Sequence, residues 1–330
     1  MKRLQFVDSI KGFAIICVVL GHVANGYIGE GLTNGIYSDL HKFVYAFHMP
    51  LFFMVSGYLF DRGYFSDNGL QTGRFRTQLI NLICLYFLYC LLTAGSKMLF
   101  GAYAINQVTV KDLLYIPIKP IQHYWYLYVL AIYYCIFSRP VIYRQNCAIL
   151  LSVTLILSVA SHWIPLAVPF EMRRLLHNMF FFCSGIAMNR KEGAKRPGYL
   201  CFLLLPVILL LYILFWNNER SLYDIPIVST ILGIACSLFI WEVFRQYDFP
   251  GKSRVLSFAG KHSLEIYLLH SFVVTAERTV FRKLNIRNEI LIILISTITG
   301  VIIPVIISMI SRKIKIYRFL FSPYKAKAKE

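Results

Sequence analysis

Three ionisable side chains stand in the first apolar stretch of the chain, which runs Phe6-Val7-Asp8-Ser9-Ile10-Lys11 through Gly21-His22. A charge in an apolar span is costly, so it marks a candidate for function. On a helix, Lys11 and His22 are about three turns apart. They share one face with roughly 16 Å of axial separation. Asp8 precedes Lys11 by one turn and is placed to pair with it. An imidazole on such a face is a candidate general base, and an ammonium there offers positive charge to a developing anion. A plainer reading fits the same spacing: Asp8 and Lys11 lie in the inner headgroup layer, with Lys11 snorkelling, and His22 is interfacial.

Other candidates lie further along. His41 and His48 are seven residues apart, on one face of an expected second helix, where His48 can orient His22 or touch an acceptor. Pro50 frees a carbonyl near residue 46 and favours a kink there. Ser56 and Gly57 permit close packing. Arg173 and Arg174 open a later span and suit an acidic or phosphorylated ligand, or serve only as interfacial anchors. In the ninth span Ser263, Tyr267 and His270 share a face, whereas Glu265 and His270 point about 140° apart. Six of the eight histidines (His22, His41, His48, His123, His162 and His177) fall near expected outer ends of spans.

Several chemistries lack their signatures. The sequence has no Gly-rich phosphate loop, no G-x-S-x-G elbow and no His-Glu-x-x-His, so no metal site is expected. The eight cysteines form no C-x-x-C and sit in or beside apolar spans, as small buried residues do. The net charge of +18 is scattered through short segments and the tail. It suits topology and anionic lipid headgroups, and nucleic acid is not an expected partner.

The elements that must position these residues are transmembrane helices. The 330 residues are 58% hydrophobic and 15% charged, with mean hydropathy +0.60, against about 25% charged in soluble domains. Ten spans are expected, at 5–25, 41–60, 78–100, 122–138, 147–166, 175–189, 198–216, 225–244, 262–281 and 289–311. Strands are not expected. With the N-terminus inside, 22 of the 34 Lys and Arg fall in inner segments and 10 in outer ones, which predicts both termini in the cytoplasm. Arg278, Arg282, Lys283 and Arg287 are the weak point, four basic residues in a segment placed outside. The fold class is thus an all-α polytopic membrane protein of about ten helices. Residues 1–315 form the transmembrane domain and 316–330 a basic cytoplasmic tail.

Lys11-x10-His22, followed by Phe47-His48-Met49-Pro50-Leu51-Phe52-Phe53 and Ser56-Gly57-Tyr58, resembles the acyltransferase-3 family of bacterial membrane O-acyltransferases. Fainter echoes are Tyr124-Trp125-Tyr126-Leu127, Phe180-Phe181-Phe182-Cys183-Ser184-Gly185 and Ser263-Leu264-Glu265-Ile266-Tyr267-Leu268-Leu269-His270. The resemblance implies ten helices in the inner membrane. It also implies transfer of an acyl group, commonly acetyl from acetyl-CoA, to a carbohydrate such as a surface polysaccharide or lipid-linked glycan. The family's hallmark is a basic residue, usually Arg, ahead of a catalytic His. Here Lys11 fills the basic position, as in the branch related to fucose O-acetylases, but without Arg's bidentate fork. His22, Lys11 and Asp8 are the expected catalytic residues. His48, Trp125, Tyr126, Arg173, Arg174, Glu265, Tyr267 and His270 are the expected substrate contacts. A transporter of glycans or small acids is the competing class, although internal repeats or paired broken helices are not evident.

Overall fold

The computed structural model describes residues 4–32, 35–66, 69–99, 108–165, 168–190, 198–215 and 226–324. The tail run Lys325–Glu330 and the segments 191–197 and 217–224, used above to orient the chain, lie outside them. Each of the ten expected spans is helical over most of its length. The only strands among the described residues are a two-residue antiparallel pair, Phe65–Ser66 with Gly69–Leu70. By length and composition, five segments among the described residues can cross a membrane: Gln5–Ile28, Ile36–Tyr64, Thr72–Leu99, Ile227–Gln246 and Glu289–Lys313. The all-α membrane class follows, because helices satisfy every backbone polar group internally where lipid offers no partner.

The second span differs from its expectation. It is two helices, α2 (Ile36–Tyr45) and α3 (His48–Tyr64), separated by a turn at Ala46–Phe47. Pro50 lacks an N–H and sits in the first turn of α3, where no intrahelical bond is lost. His41 and His48 therefore stand on different helices, not on one face of a single helix.

The chain divides into two compact units, Met1–Val55 with Gly193–Ile310, and Ser56–Glu192 with Ser311–Glu330. In the first, α1 (Gln5–Ile28) packs against α2, α11 (Pro226–Gln246), α12 (Asp248–Gly251), α13 (Arg254–Lys261) and α14 (Ser263–Lys283). Lipid tails are as apolar as leucine, so close van der Waals contact must hold such helices together. The seam between α1 and α13 is backbone against backbone. A Cβ on Gly12 would lie 1.8 Å from the Leu256 carbonyl oxygen, and one on Gly260 would lie 1.7 Å from that of Asp8. Hydrogen bonds fix the register: Ser9 Oγ donates to the Gly251 carbonyl at 2.9 Å, and Gln5 Nε2 to that of Lys252 at 2.9 Å. Ser253 caps α13 by accepting from the Leu256 N–H. Elsewhere in this unit Val44, Phe47, Tyr212, Leu232 and Cys236 form an apolar core beside Cys17 of α1.

In the second unit, α3 beyond Ser56, α6 (Trp125–Phe137) and α9 (Met172–Arg190) share an aromatic core. The ring of Phe60 lies 4.8 Å from Tyr134 and 5.4 Å from Phe182, centroid to centroid. Gly57 allows this approach, since a Cβ there would lie 1.8 Å from the Phe182 carbonyl oxygen. The close packing expected of Ser56-Gly57 is thus made against Phe180–Gly185, another of the stretches singled out in the sequence. Asp61 at the end of α3 is buried. It accepts from Asn189 Nδ2 at 2.7 Å and pairs with Arg190 Nε at 3.4 Å. Arg190 also covers the ring of Tyr143 at 4.3 Å.

Candidate functional site

Helix α1 carries Asp8, Lys11 and His22 without interruption, as their spacing requires. Lys11 Nζ lies 3.9 Å from Asp8 Oδ1, a coulombic contact longer than a hydrogen bond. Asp8 is buried beneath α13, and the Lys11 side chain is 23% exposed. The carboxylate thus tethers an ammonium that keeps access to solvent, and a lysine offers three donors.

Three turns further along α1, the half-buried His22 meets α14. Its ring centroid is 4.9 Å from that of His270, with the planes 57° apart. His270 is fully buried, and its Nδ1 lies 2.9 Å from the carbonyl oxygens of both Ile266 and Tyr267. Carbonyls only accept, so Nδ1 carries the proton and Nε2 is the unprotonated nitrogen. His48 is fixed in the same way, with Nδ1 2.8 Å from the Val44 carbonyl. Tyr45 is a residue the sequence reading passed over. Its ring stacks on His41 at 3.8 Å, stands edge-on to His48 at 4.8 Å, and lies against α1 at Gly21, next to His22. The turn at 46–47 brings His41 and His48 onto one tyrosine even though they occupy two helices. An aromatic within an aromatic-rich run carries no signal that would have singled it out.

Helix α14 separates its candidates. Glu265 is buried, with Oε1 3.5 Å from His262 Nδ1 and accepting from Ser308 Oγ at 3.4 Å. His270 lies more than a turn further on, against α1, so the two are not a pair, as the 140° offset requires. Tyr267 is buried, its ring 6.4 Å from that of His270. Near the other end of α14, Arg278 Nε binds Glu30 Oε1 at 2.9 Å, and Arg282 Nη1 lies 3.7 Å from the same oxygen. Two of the four basic residues that weakened the orientation argument thus carry a local counter-charge.

The second unit holds the remaining candidates. Arg174 pairs with Glu171 at 2.5 Å and lies over the ring of Trp125 at 5.0 Å, an arrangement that holds the guanidinium flat. Tyr126 shares a 2.7 Å hydrogen bond with Ser56. Trp125, Tyr126 and Arg174 are thus gathered around the start of α6 and α9. Arg173 is partly buried one residue away on α9. This unit also has its own imidazole contact, His162 with His177, at 4.8 Å between centroids.

Comparison with known proteins adds a family. The profile of the family described as acyltransferase domain matches residues 4–309. Nodulation protein NolL of Mesorhizobium japonicum is 23% identical over 229 residues, which cover 68% of this chain and 59% of that protein. Nodulation protein NolL of Sinorhizobium fredii is 48% identical over 52 residues, 16% of this chain and 14% of that protein. The chain therefore spans less than two thirds of the length of either relative. No solved structure matches.

Proposed function

The chain belongs to the acyltransferase domain family, and from that premise we propose that it is a multi-pass inner-membrane O-acyltransferase moving an acetyl group from acetyl-CoA to a carbohydrate hydroxyl. The ten helical segments are read as ten crossings with both termini cytoplasmic. The observation that carries the reading is the single helix α1, which sets a tethered ammonium and an imidazole on one face about three turns apart.

The acyl donor is a substrate, consumed in the reaction. Lys11, held by Asp8, supplies positive charge toward its phosphates at the cytoplasmic end. His22 supplies the base toward the outer end. As the acceptor hydroxyl attacks the thioester carbonyl, His22 takes its proton. The new C–O bond forms, the C–S bond breaks, and the thiolate takes the proton back from His22. The roughly 16 Å between Lys11 and His22 is comparable to the length of a pantetheine arm. Tyr45, with His48 against it, lies next to the base at Gly21. Arg173 and Arg174, with Trp125 and Tyr126, suit the acidic groups and flat sugar faces of a glycan acceptor.

The test is CoA release by the purified protein given acetyl-CoA and candidate glycans, with mass analysis of the product. His22→Ala is expected to lower turnover by about 10²–10⁴-fold while the protein stays folded. Lys11→Ala is expected to weaken acyl-CoA binding. Glycan flux across vesicles without CoA release would replace this reading with a transporter.

A further inference from the structure

We propose that His270 is a positioning residue for His22, an acceptor of fixed tautomer that dictates which nitrogen of His22 carries the lone pair. The inference rests on the reading of His22 as the base.

A neutral imidazole is a base at one nitrogen and a donor at the other, and a neighbour must choose between them. In hydrolases with a Ser-His-Asp triad a carboxylate makes that choice. Against His22 stands His270, the two ring centroids 4.9 Å apart. The two carbonyls of its own helix claim the Nδ1 proton of His270, so toward His22 it can only accept. A nitrogen of His22 and one of His270 lie within 4.8 Å. One oxygen atom at ordinary hydrogen-bond distance from both spans that gap with an angle of up to about 110°, near the tetrahedral value.

The consequence concerns one proton position. The His22 nitrogen facing α14 carries hydrogen, and its other nitrogen keeps the lone pair for the acceptor hydroxyl. When that hydroxyl gives up its proton, both His22 nitrogens are protonated. The N–H toward His270 then keeps its acceptor, and no unpaired donor is left in a low-dielectric site. No proton leaves the pair, and the one taken up by His22 departs with the thiolate. In this role His270 acts through His22.

Two substitutions separate positioning from packing. Asn at 270 keeps a donor at the position of Nδ1 and deletes the acceptor beyond it. Gln places a carboxamide oxygen where Nε2 stood. His270→Asn is expected to lower kcat at least about tenfold with little change in KM for acetyl-CoA, and His270→Gln is expected to recover most of the loss. The independent readout is ¹⁵N NMR of histidine-labelled protein in nanodiscs. His22 should show one tautomer in the wild type and in His270→Gln, and a mixture in His270→Asn. The inference is overturned if His270→Asn keeps wild-type kcat and a single His22 tautomer while His22→Ala is inactive, an outcome that leaves the functional reading intact. Equal losses in the Asn and Gln variants with an unchanged His22 tautomer also overturn it. If the wild type releases no CoA with any glycan, the functional reading fails instead, and the tautomer spectra alone decide the pairing.

Discussion

Replacing Gly260 with alanine tests the contact that sets the depth and rotation of α1. The added Cβ would meet the Asp8 carbonyl oxygen at 1.7 Å and the Gly12 nitrogen at 2.9 Å. Both are backbone atoms, so no side chain can swing aside. A carbon needs roughly 3.5 Å there, so α1 and α13 must part by more than about 1.5 Å. A gap of about 0.5–1 Å already forfeits a quarter to a half of a contact's dispersion energy, and the Ser9 and Gln5 hydrogen bonds across the seam lengthen with it. The cost is about 3 kcal/mol, which corresponds to a fall of roughly 4 °C in Tm for a chain of this size. Thermal unfolding of the detergent-solubilised protein reads this directly. Gly95→Ala in α4 (Thr72–Leu99) is the control, because a Cβ there meets nothing within 4 Å. That change should be neutral or stabilising by up to about 1 kcal/mol. Gly12→Ala acts on the same seam, so the double variant should lose less than the sum of the two. A Gly260→Ala protein melting within about 1 °C of wild type (the effect of less than about 1 kcal/mol) would refute the backbone contact, and with it the placement of Asp8 and Lys11.

Other perturbations follow from the ion pairs and caps. Glu30→Gln removes the counter-charge of buried Arg278 and should cost about 2–3 kcal/mol in the same melting assay, whereas Arg282→Gln, at an exposed partner of the same oxygen, should change little. Asp61→Asn leaves Arg190 without its buried partner and should cost about 3 kcal/mol. In the short helix α5 (Val110–Tyr115), the Thr109 N–H and hydroxyl bind Asp112 and hold its carboxyl below the usual carboxylate range. A depressed pKa means the cap is at full strength above the ordinary carboxylate value and is lost as pH falls through the lowered one. Hydrogen exchange at 110–115 should therefore, after correction for intrinsic rates, lose protection only in acid, and Asp112→Asn should remove that dependence.

How much of this was legible in the sequence depended on whether the information was local. The register of Asp8, Lys11 and His22 on α1 is local, because helix geometry fixes it once the segment is helical, and composition made it helical. The packing role of Gly57 was legible as a property but not as a partner: small residues announce that something comes close without naming what. The seam of α1 on α12 and α13 joins residues 247 and 242 positions apart, and no periodicity carries that pairing. Hence the stretch 245–261 read as a polar inner segment, whereas it folds as two short helices against α1. The break at Ala46–Phe47 was legible as a kink, because Pro50 pointed to residue 46, but not as a full separation into two helices. The run from Phe43 to Val55 is apolar apart from His48, and Pro50 stands inside the new helix, in the first turn, where it costs least.

The basic cluster near Arg278 shows how a charge count can mislead about orientation while the physics stays consistent. Counting Lys and Arg treats each as a free cation seeking the cytoplasm. Arg278 is not free in that sense, because Glu30, just beyond the end of α1, neutralises it in a half-exposed pair that Arg282 also approaches. The relevant quantity is the charge left over after local pairing, and the partner lies on another helix, beyond reach of a count made segment by segment. The same argument applies to the site. Asp8 and Lys11 were legible because the partner lies one turn away. His22 and His270 were each legible as polar residues in apolar spans, but their contact depends on the rotation of α1 against α14, which the glycine seam with α13 helps to set. Loosening that seam should therefore disturb the His22 tautomer as well as stability, so ¹⁵N spectra of Gly260→Ala should resemble those of His270→Asn even though residue 270 is untouched.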